Sequence, residues 1–239
     1  DSISEPYNQI FPLNPGQLAF INRVIPQAGD LSVMDVGCGT GLLSQALAAS
    51  FKKVVGIDLD ESMLTRARKD ADPSANLSYF RLDMLELDKQ FPPASFDCII
   101  CFGNTLVHLP SPELFSVFFR KSLDLLRTTG KLLLQVIHYD RILDQHIKTL
   151  PTIENSNFQF TRSYHYQEKE HLIEFETRLT LKSTGQTKHN KVLLYPVRRT
   201  ELETGLKEAG FKNIRFYGNF QGDPLTAASI PLVLEASSA

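Results

Sequence analysis

The chain has 239 residues, 42% hydrophobic and 22% charged, with 25 Lys+Arg against 27 Asp+Glu and a formal net charge of −2. That length supports a well-buried core and fits a single domain over 1–239 with an insertion, and the near-neutral balance gives no basic footprint for nucleic acid. No apolar run approaches the roughly 20 residues that span a bilayer, no signal peptide is visible, and three cysteines argue for a reducing, cytoplasmic compartment over a disulfide scaffold.

In chain order, Asn14-Pro15 opens a helix with Leu18, Ile21, Val24 and Ile25 on one face. Over residues 14–28 it reads either as a lid over a bound cofactor or as a simple packing helix. The apolar run Leu31 to Met34 then leads into Asp35-Val-Gly37-Cys-Gly39-Thr-Gly41 and a helix-like segment from Leu42, an order of strand, glycine turn and helix. Glycines are needed where a backbone takes positive φ and lets a ligand approach with no Cβ in the way, so a nucleotide-like cofactor is expected. In a dinucleotide fingerprint the third glycine would stand where Leu42 stands, and no Gly-Lys-Ser/Thr of a phosphate loop follows. Cys38 sits within the turn with nothing nearby to mark it as a nucleophile. Lys53 to Asp58 is a second apolar run, and its terminal carboxylate can accept both hydroxyls of a ribose. Asp60 reads as the N-cap of a helix over Glu61 to Asp70, and Met63 reads as an adenine cover or a core methionine. A third strand, Leu77 to Arg81, delivers Asp83 and Met84; from its position alone Asp83 could be a loop cap.

The fourth strand, Phe96 to Phe102, enters Gly103-Asn104-Thr-Leu-Val-His108-Leu-Pro110. Gly103 lets the chain leave the sheet at its carboxyl edge, where open α/β sheets place ligands. Cys98 and Cys101 point to opposite faces of that strand and read as core. His108 beside an apolar run is either a structural histidine or a base. Ser111-Pro112-Glu113 starts a helix through Arg127, and Thr129-Gly130 precedes the fifth strand from Lys131. Residues 151–197 do not repeat the strand-helix layout. From Phe158 to Tyr195 they alternate with period two, as a small antiparallel sheet of about three strands. Such a sheet would wall the pocket, its tyrosines either holding a substrate amine by cation-π contact or covering the sheet face, with Arg162 the candidate for an anionic substrate group. Thr200 and Glu203 suggest a capping box for a helix ending at Gly210, and the last two strands fall at 213–217 and 230–235.

The pattern Asp35-x-Gly37-x-Gly39-x-Gly41 resembles motif I of the class I S-adenosylmethionine-dependent methyltransferases. Phe96 to Pro110 resembles the F-D-x-x-I-C-x-G-N-S-x-x-H-L-P segment of glycine N-methyltransferases and related small-molecule N-methyltransferases. Lys131 to Leu143 is similar to their strand and H-R-N-Y-D-H-I-L segment. The resemblance covers residues 30 to 140. It implies an α/β, doubly wound, mostly parallel seven-stranded sheet of order 3-2-1-4-5-7-6 with S-adenosyl-L-methionine as cofactor and no metal. Carried over residue by residue, it assigns cofactor binding to Asp35, Gly37, Gly39, Gly41, Asp58, Leu59, Met63, Asp83, Met84 and Phe102. It assigns the chemistry to Asn104, His108 and Tyr139. The family's arginine clamp for the glycine carboxylate falls on Ile137, an apolar side chain that cannot replace a bidentate cation, which argues against glycine as the substrate. A small-molecule amine accepting a methyl by in-line displacement is the expected chemistry. An oxygen acceptor served by His108 or His138, and a cofactor-binding sensor without turnover, stay open. No Asn/Asp-Pro-Pro-Tyr/Phe site stands at the fourth strand's end, which argues against RNA or protein substrates. The insertion tyrosines and the N-terminal segment could equally form a homodimer contact.

Overall fold

A computed structural model describes residues 4–26, 28–73 and 76–239. Two short helices, α1 (Ser4–Ile10) and α2 (Pro15–Val24), precede the alternation β1 (Ser32–Val36), α3 (Leu42–Ala48), β2 (Lys53–Asp58), α4 (Glu61–Asp70), β3 (Leu77–Arg81), β4 (Phe96–Cys101), α5 (Pro112–Leu125), β5 (Leu126–Ile137) and α6 (Tyr139–Asp144). Four strands then follow in sequence, β6 (Thr149–Glu154), β7 (Phe158–Gln167), β8 (Leu172–Leu181) and β9 (Thr187–Leu194), before α7 (Arg199–Ala209), β10 (Lys212–Tyr217) and β11 (Pro231–Ser237).

The main sheet has the order β3-β2-β1-β4-β5-β11-β10, which is the expected 3-2-1-4-5-7-6. Strands β3 to β5 run parallel, and β11 and β10 close the edge antiparallel. Its central strands are covered on both sides, which is why they read as continuous apolar runs. Side chains alternate between two cores. Met34, Ile99, Cys101 and Leu134 face α5 and α7 through Phe118, Phe119 and Leu206. Val33, Cys98, Ile100 and Leu133 face α2 and α3 through Phe20, Ile21 and Leu47. The two cysteines three apart in β4 therefore lie in different cores, and burial pushes both thiols far up.

Helix α2 packs into the second core with Phe20 and Ile21 fully buried. It is the packing helix of the two readings, and it ends at Val24, short of residue 28; Gln27 lies outside the described residues. The element beside the cleft described below is α1. Its Tyr7 and Asn8 reach the glycine turn, where the Thr40 hydroxyl donates to Asn8 Oδ1.

Local signals explain most boundaries. Asn14 caps α2 by accepting from Gly16 N–H at 2.9 Å, and Asp60 Oδ1 caps α4 by accepting from Ser62 N–H at 2.8 Å. Helix α5 starts with Pro112 but draws no side-chain bond from Ser111 and stops at Leu125, two residues before the expected Arg127. Helix α7 begins one residue before Thr200. Glu201, not Glu203, reaches back, its Oε2 accepting from Arg198 N–H at 2.8 Å, so the capping pair sits two residues earlier than Thr200 and Glu203 suggest.

The second sheet, in the order β6-β7-β8-β9, has four antiparallel strands: the three that the alternation over Phe158 to Tyr195 suggested, and β6 before them. Its extra strand begins at Thr149, carries Pro151 at the edge, and slips register between Leu150 and Ile153. Proline is tolerated on edge strands, and the slip breaks the period-two pattern by which a strand is recognised. Tyr195 N–H donates to Val107 O at 2.9 Å, tying the end of this sheet to the turn after β4.

Candidate functional site

The carboxyl ends of β1, β2 and β4, the insertion and α1 enclose a cleft of about 460 Å³. Its floor is the glycine turn after β1. Gly37 has φ +72°, and a Cβ there would lie 2.4 Å from Thr105 Cγ2, so the turn and the β4 loop meet closely only because this residue is glycine. Gly39 lines the cleft, but Gly41 does not: it is buried at the start of α3, where a Cβ would lie 2.2 Å from Tyr79 Oη. Asp35 is also outside the lining. It is 3% exposed, its Oδ2 accepts the Ser44 hydroxyl at 2.6 Å, and burial, joined by the nearby Asp58 charge, raises its pKa to about 6 against the opposing Ser44 hydrogen bond. Both residues build the turn beneath the cleft.

Asp58 ends β2 at the cleft. Its Oδ2 accepts from Gly39 N–H at 2.8 Å and its Oδ1 from Asp60 N–H at 2.9 Å. These bonds lock the carboxylate, while each oxygen keeps further acceptor capacity. Leu59, Met63 and Met84 join Val36, Ile57 and Leu82 as apolar lining. Asp83 stands between lining residues but is not lining itself. Its Oδ1 accepts from Leu85 N–H at 2.8 Å and caps the following 3₁₀ turn. Phe102 lies behind the cleft, buried against Phe220 with ring centroids 5.0 Å apart.

Of the three residues assigned to chemistry, His108 alone lines the cleft, and burial lowers its pKa despite the opposing charge of Asp58. Its imidazole is therefore neutral at pH 7. Asn104 and Tyr139 form a clamp behind the β4 loop. Asn104 takes φ +68°, its Oδ1 accepts from Ile137 N–H at 2.9 Å, and its Nδ2 donates to Tyr139 Oη at 3.0 Å. Tyr139 is fully buried, and that burial pushes its phenol well above the usual range. His138 is engaged elsewhere, its Nδ1 at 3.2 Å from Ser229 O and its Nε2 at 3.7 Å from Asp140.

Three polar lining residues were not among those expected from the sequence: Tyr7 from α1, Thr105 after Gly103, and Asn190 from β9. Tyr7 and Asn190 reach the cleft through contacts far apart in the chain, whereas Thr105 follows directly on the Gly103-Asn104 signal. Burial, assisted by Asp58, raises the Tyr7 pKa, and burial raises that of Cys38 steeply, so the thiol in the turn stays protonated at pH 7. Among the described residues one group with metal-ligand chemistry occurs, His165, Glu174 and Glu176. It is on the solvent-facing side of the insertion, with Lys191 paired to Glu174 at 2.8 Å.

Residues 33–130 match the family model described as a methyltransferase domain. This span, less than half of the chain, is similar to a methyltransferase domain. Over 107 residues it is 36% identical to the ubiquinone biosynthesis O-methyltransferase of Idiomarina loihiensis, covering 45% of this chain and 44% of that protein. The chain thus spans less than half the length of that relative. Whole-chain likeness to solved methyltransferase-domain structures is one of fold. The CcbJ methyltransferase of Streptomyces caelestis has a TM-score of 0.84 at 19% identity, covering 99% of this chain and 96% of that one. CalS10, an S-adenosylmethionine-bound amino pentose methyltransferase from Micromonospora echinaspora, has a TM-score of 0.72 at 18% identity, covering 100% and 98%. The sugar N-methyltransferase KedS8 from Streptoalloteichus has a TM-score of 0.73 at 16% identity, covering 98% and 92%.

The cleft's groups fit S-adenosylmethionine, the molecule bound in the CalS10 structure. The locked Asp58 carboxylate suits a vicinal diol, the Cβ-free backbone at Gly37 and Gly39 leaves room for an amino-acid tail, and the flanking apolar side chains suit an adenine ring. Among the described residues no helix is long and apolar enough to cross a membrane.

Proposed function

We propose that this chain transfers a methyl group from S-adenosylmethionine to a small-molecule acceptor, with an amine nitrogen as the acceptor atom. The observation that carries the reading is Asp58. Backbone N–H groups from Gly39 and Asp60 hold its carboxylate at the end of β2, at the edge of a glycine-floored cleft. A charged acceptor aimed at a diol is among the stronger hydrogen-bond arrangements. The whole-chain likeness in fold to a protein named as a sugar N-methyltransferase includes the insertion and supports nitrogen, whereas the likeness to the ubiquinone O-methyltransferase covers under half of either chain.

When bound, S-adenosylmethionine supplies an electrophilic methyl on a sulfonium. The chain's own task is to hold a nucleophile about 3 to 3.5 Å away and in line, the proximity contribution. Asp58 would hold the ribose, and Leu59, Met63 and Met84 would enclose the adenine. The Asn104–Tyr139 clamp sets the backbone of the Gly103 loop against β5, and Gly103 N–H donates to Gln135 Oε1 at 2.9 Å, so this wall of the cleft is rigid. A neutral amine attacks without a base. Tyr7, Thr105, His108 and Asn190 surround the space where that amine would sit, and α1 with the insertion would exclude water.

A second reading, an oxygen acceptor, is favoured by His108. A neutral imidazole at the cleft wall can take the proton of a hydroxyl. The two readings separate in one experiment. The protein is incubated with methyl-labelled S-adenosylmethionine and a cell extract divided into small molecules, RNA and protein, and the labelled product's N-methyl or O-methyl linkage is then identified. Label on a small-molecule amine supports the reading. Label on a hydroxyl moves the assignment to oxygen, and label in RNA or protein overturns both.

A further inference from the structure

The face of the insertion that meets the cleft carries a polar row, with an apolar row on one side and a row of two apolar residues and a lysine on the other. Residues directly opposite one another on neighbouring strands share a face, and Arg162 on β7 pairs with Thr177 on β8, which pairs with Asn190 on β9. Asn190 lines the cofactor cleft. On one side of this row stand Tyr164, Phe175 and Val192, and on the other Phe160, Leu179 and Lys188. The Tyr164 and Phe175 rings pack 5.2 Å apart, and Tyr164 also meets Tyr139 at 6.4 Å. At strand spacings of about 4.8 Å, Arg162 is about 10 Å from Asn190 along the row.

Arg162 is an unusual occupant of such a surface. It is half-buried, its guanidinium centre lies 5.8 Å from the Phe160 ring centroid, and one Nη donates to Pro151 O at 2.6 Å. Its Nε is buried with no hydrogen-bond partner. Burial disfavours its charged form. Among the described residues no carboxylate forms an ion pair with it. A guanidinium stays charged and presents five N–H donors in a planar fork, so the site holds an uncompensated positive charge with spare donors at the end of a polar row that starts in the cleft. Burying such a group without a partner is costly, and an anionic ligand removes that cost.

We propose that the methyl acceptor carries a carboxylate that seats on Arg162, with its nucleophilic end beside Asn190 and His108 in the cleft. The proposal rests on the methyl-transfer reading above and narrows its substrate class to small molecules with a nucleophile and a carboxylate a few bonds apart. Thr177 and Asn190 line the path between the two ends. The arrangement replaces, from a different strand, the carboxylate clamp that Ile137 rules out on β5.

The test uses matched probes. The protein is loaded with S-adenosylhomocysteine, and para-aminobenzoate, para-hydroxybenzoate and gamma-aminobutyrate are each titrated by calorimetry against their methyl esters, in the wild type, in Arg162→Gln and in Arg162→Lys. At least one acid is expected to bind tenfold or more tighter than its ester. Arg162→Gln should erase that preference and Arg162→Lys retain part of it, with S-adenosylhomocysteine affinity unchanged within twofold in both. A structural role for Arg162 would not change the ratio of acid to ester. The proposal is overturned if acids and esters bind equally or not at all, or if the preference survives in Arg162→Gln. If S-adenosylhomocysteine itself does not bind the wild type, the methyl-transfer reading fails and the proposal fails with it; if it binds and only the acid preference is missing, the proposal alone fails.

Discussion

Replacing Asp35 with Asn should change how stability depends on pH, and the size of the change follows from the site. The Asp35 carboxyl is fully enclosed, accepts the Ser44 hydroxyl at 2.6 Å, and has its pKa raised from 3.8 to about 6, burial being the largest cause. An acid that holds its proton more tightly when folded favours the folded state fully below pH 3.8 and loses that advantage as pH rises through 6. The gap between 3.8 and 6, at about 1.36 kcal/mol per pH unit, amounts to about 3 kcal/mol. Asn can accept the same Ser44 hydrogen bond and never ionises. The stability of the wild type relative to Asp35→Asn should therefore fall by about 3 kcal/mol between about pH 3 and pH 7. Urea denaturation followed by circular dichroism across that range measures the difference directly, since the other titrating groups are common to both proteins. A difference that is flat, or that rises with pH, would refute the argument that burial controls this carboxyl.

Asn104→Ala strands two groups, the part-buried Ile137 N–H and the buried Tyr139 Oη, at about 1–3 kcal/mol each. Denaturation should show a loss of about 2–6 kcal/mol, with S-adenosylhomocysteine affinity by calorimetry nearly intact; a wild-type melting curve would contradict the clamp. His108→Ala distinguishes the acceptor atom. With an oxygen acceptor, kcat should fall by about 10²–10⁴, and the wild-type rate should rise with pH to a plateau set by the lowered His108 pKa. With an amine acceptor the variant should lose little, and the pH profile should follow the amine.

The sheet and its glycine turn were legible because their signals are local. Asp35 through Gly41 and the carboxylate of Asp58 reveal a strand, a turn and a second strand end, and those segments occupy the expected places in the observed order. Less legible were features made by distant contacts. Nothing in Ser4–Ile10 indicates that Tyr7 will lie beside Gly39, because the docking is made by the fold and not by an alternating pattern. Asn104 stood out in the chain, but its engagement depends on Tyr139, 35 positions away, and a sequence cannot distinguish an amide that faces a substrate from one that locks a loop. Asp83 shows the same ambiguity at shorter range, since an acid after a strand serves equally as a ligand group or as a cap, and here Leu85 N–H takes one of its oxygens. The edge strand at Thr149–Glu154 was hidden by Pro151 and its register slip.

Binding of S-adenosylmethionine in this cleft depends, on the proposed reading, on Asp58. Calorimetric titration of S-adenosylmethionine into the wild type and into Asp58→Ala tests it most directly. Losing a charged acceptor for the ribose hydroxyls should weaken binding by about 1.5–3 kcal/mol, or about 10- to 150-fold. Saturable binding to the wild type with that loss in the variant is the predicted result; no binding to the wild type, or equal affinity in the two proteins, would contradict the account.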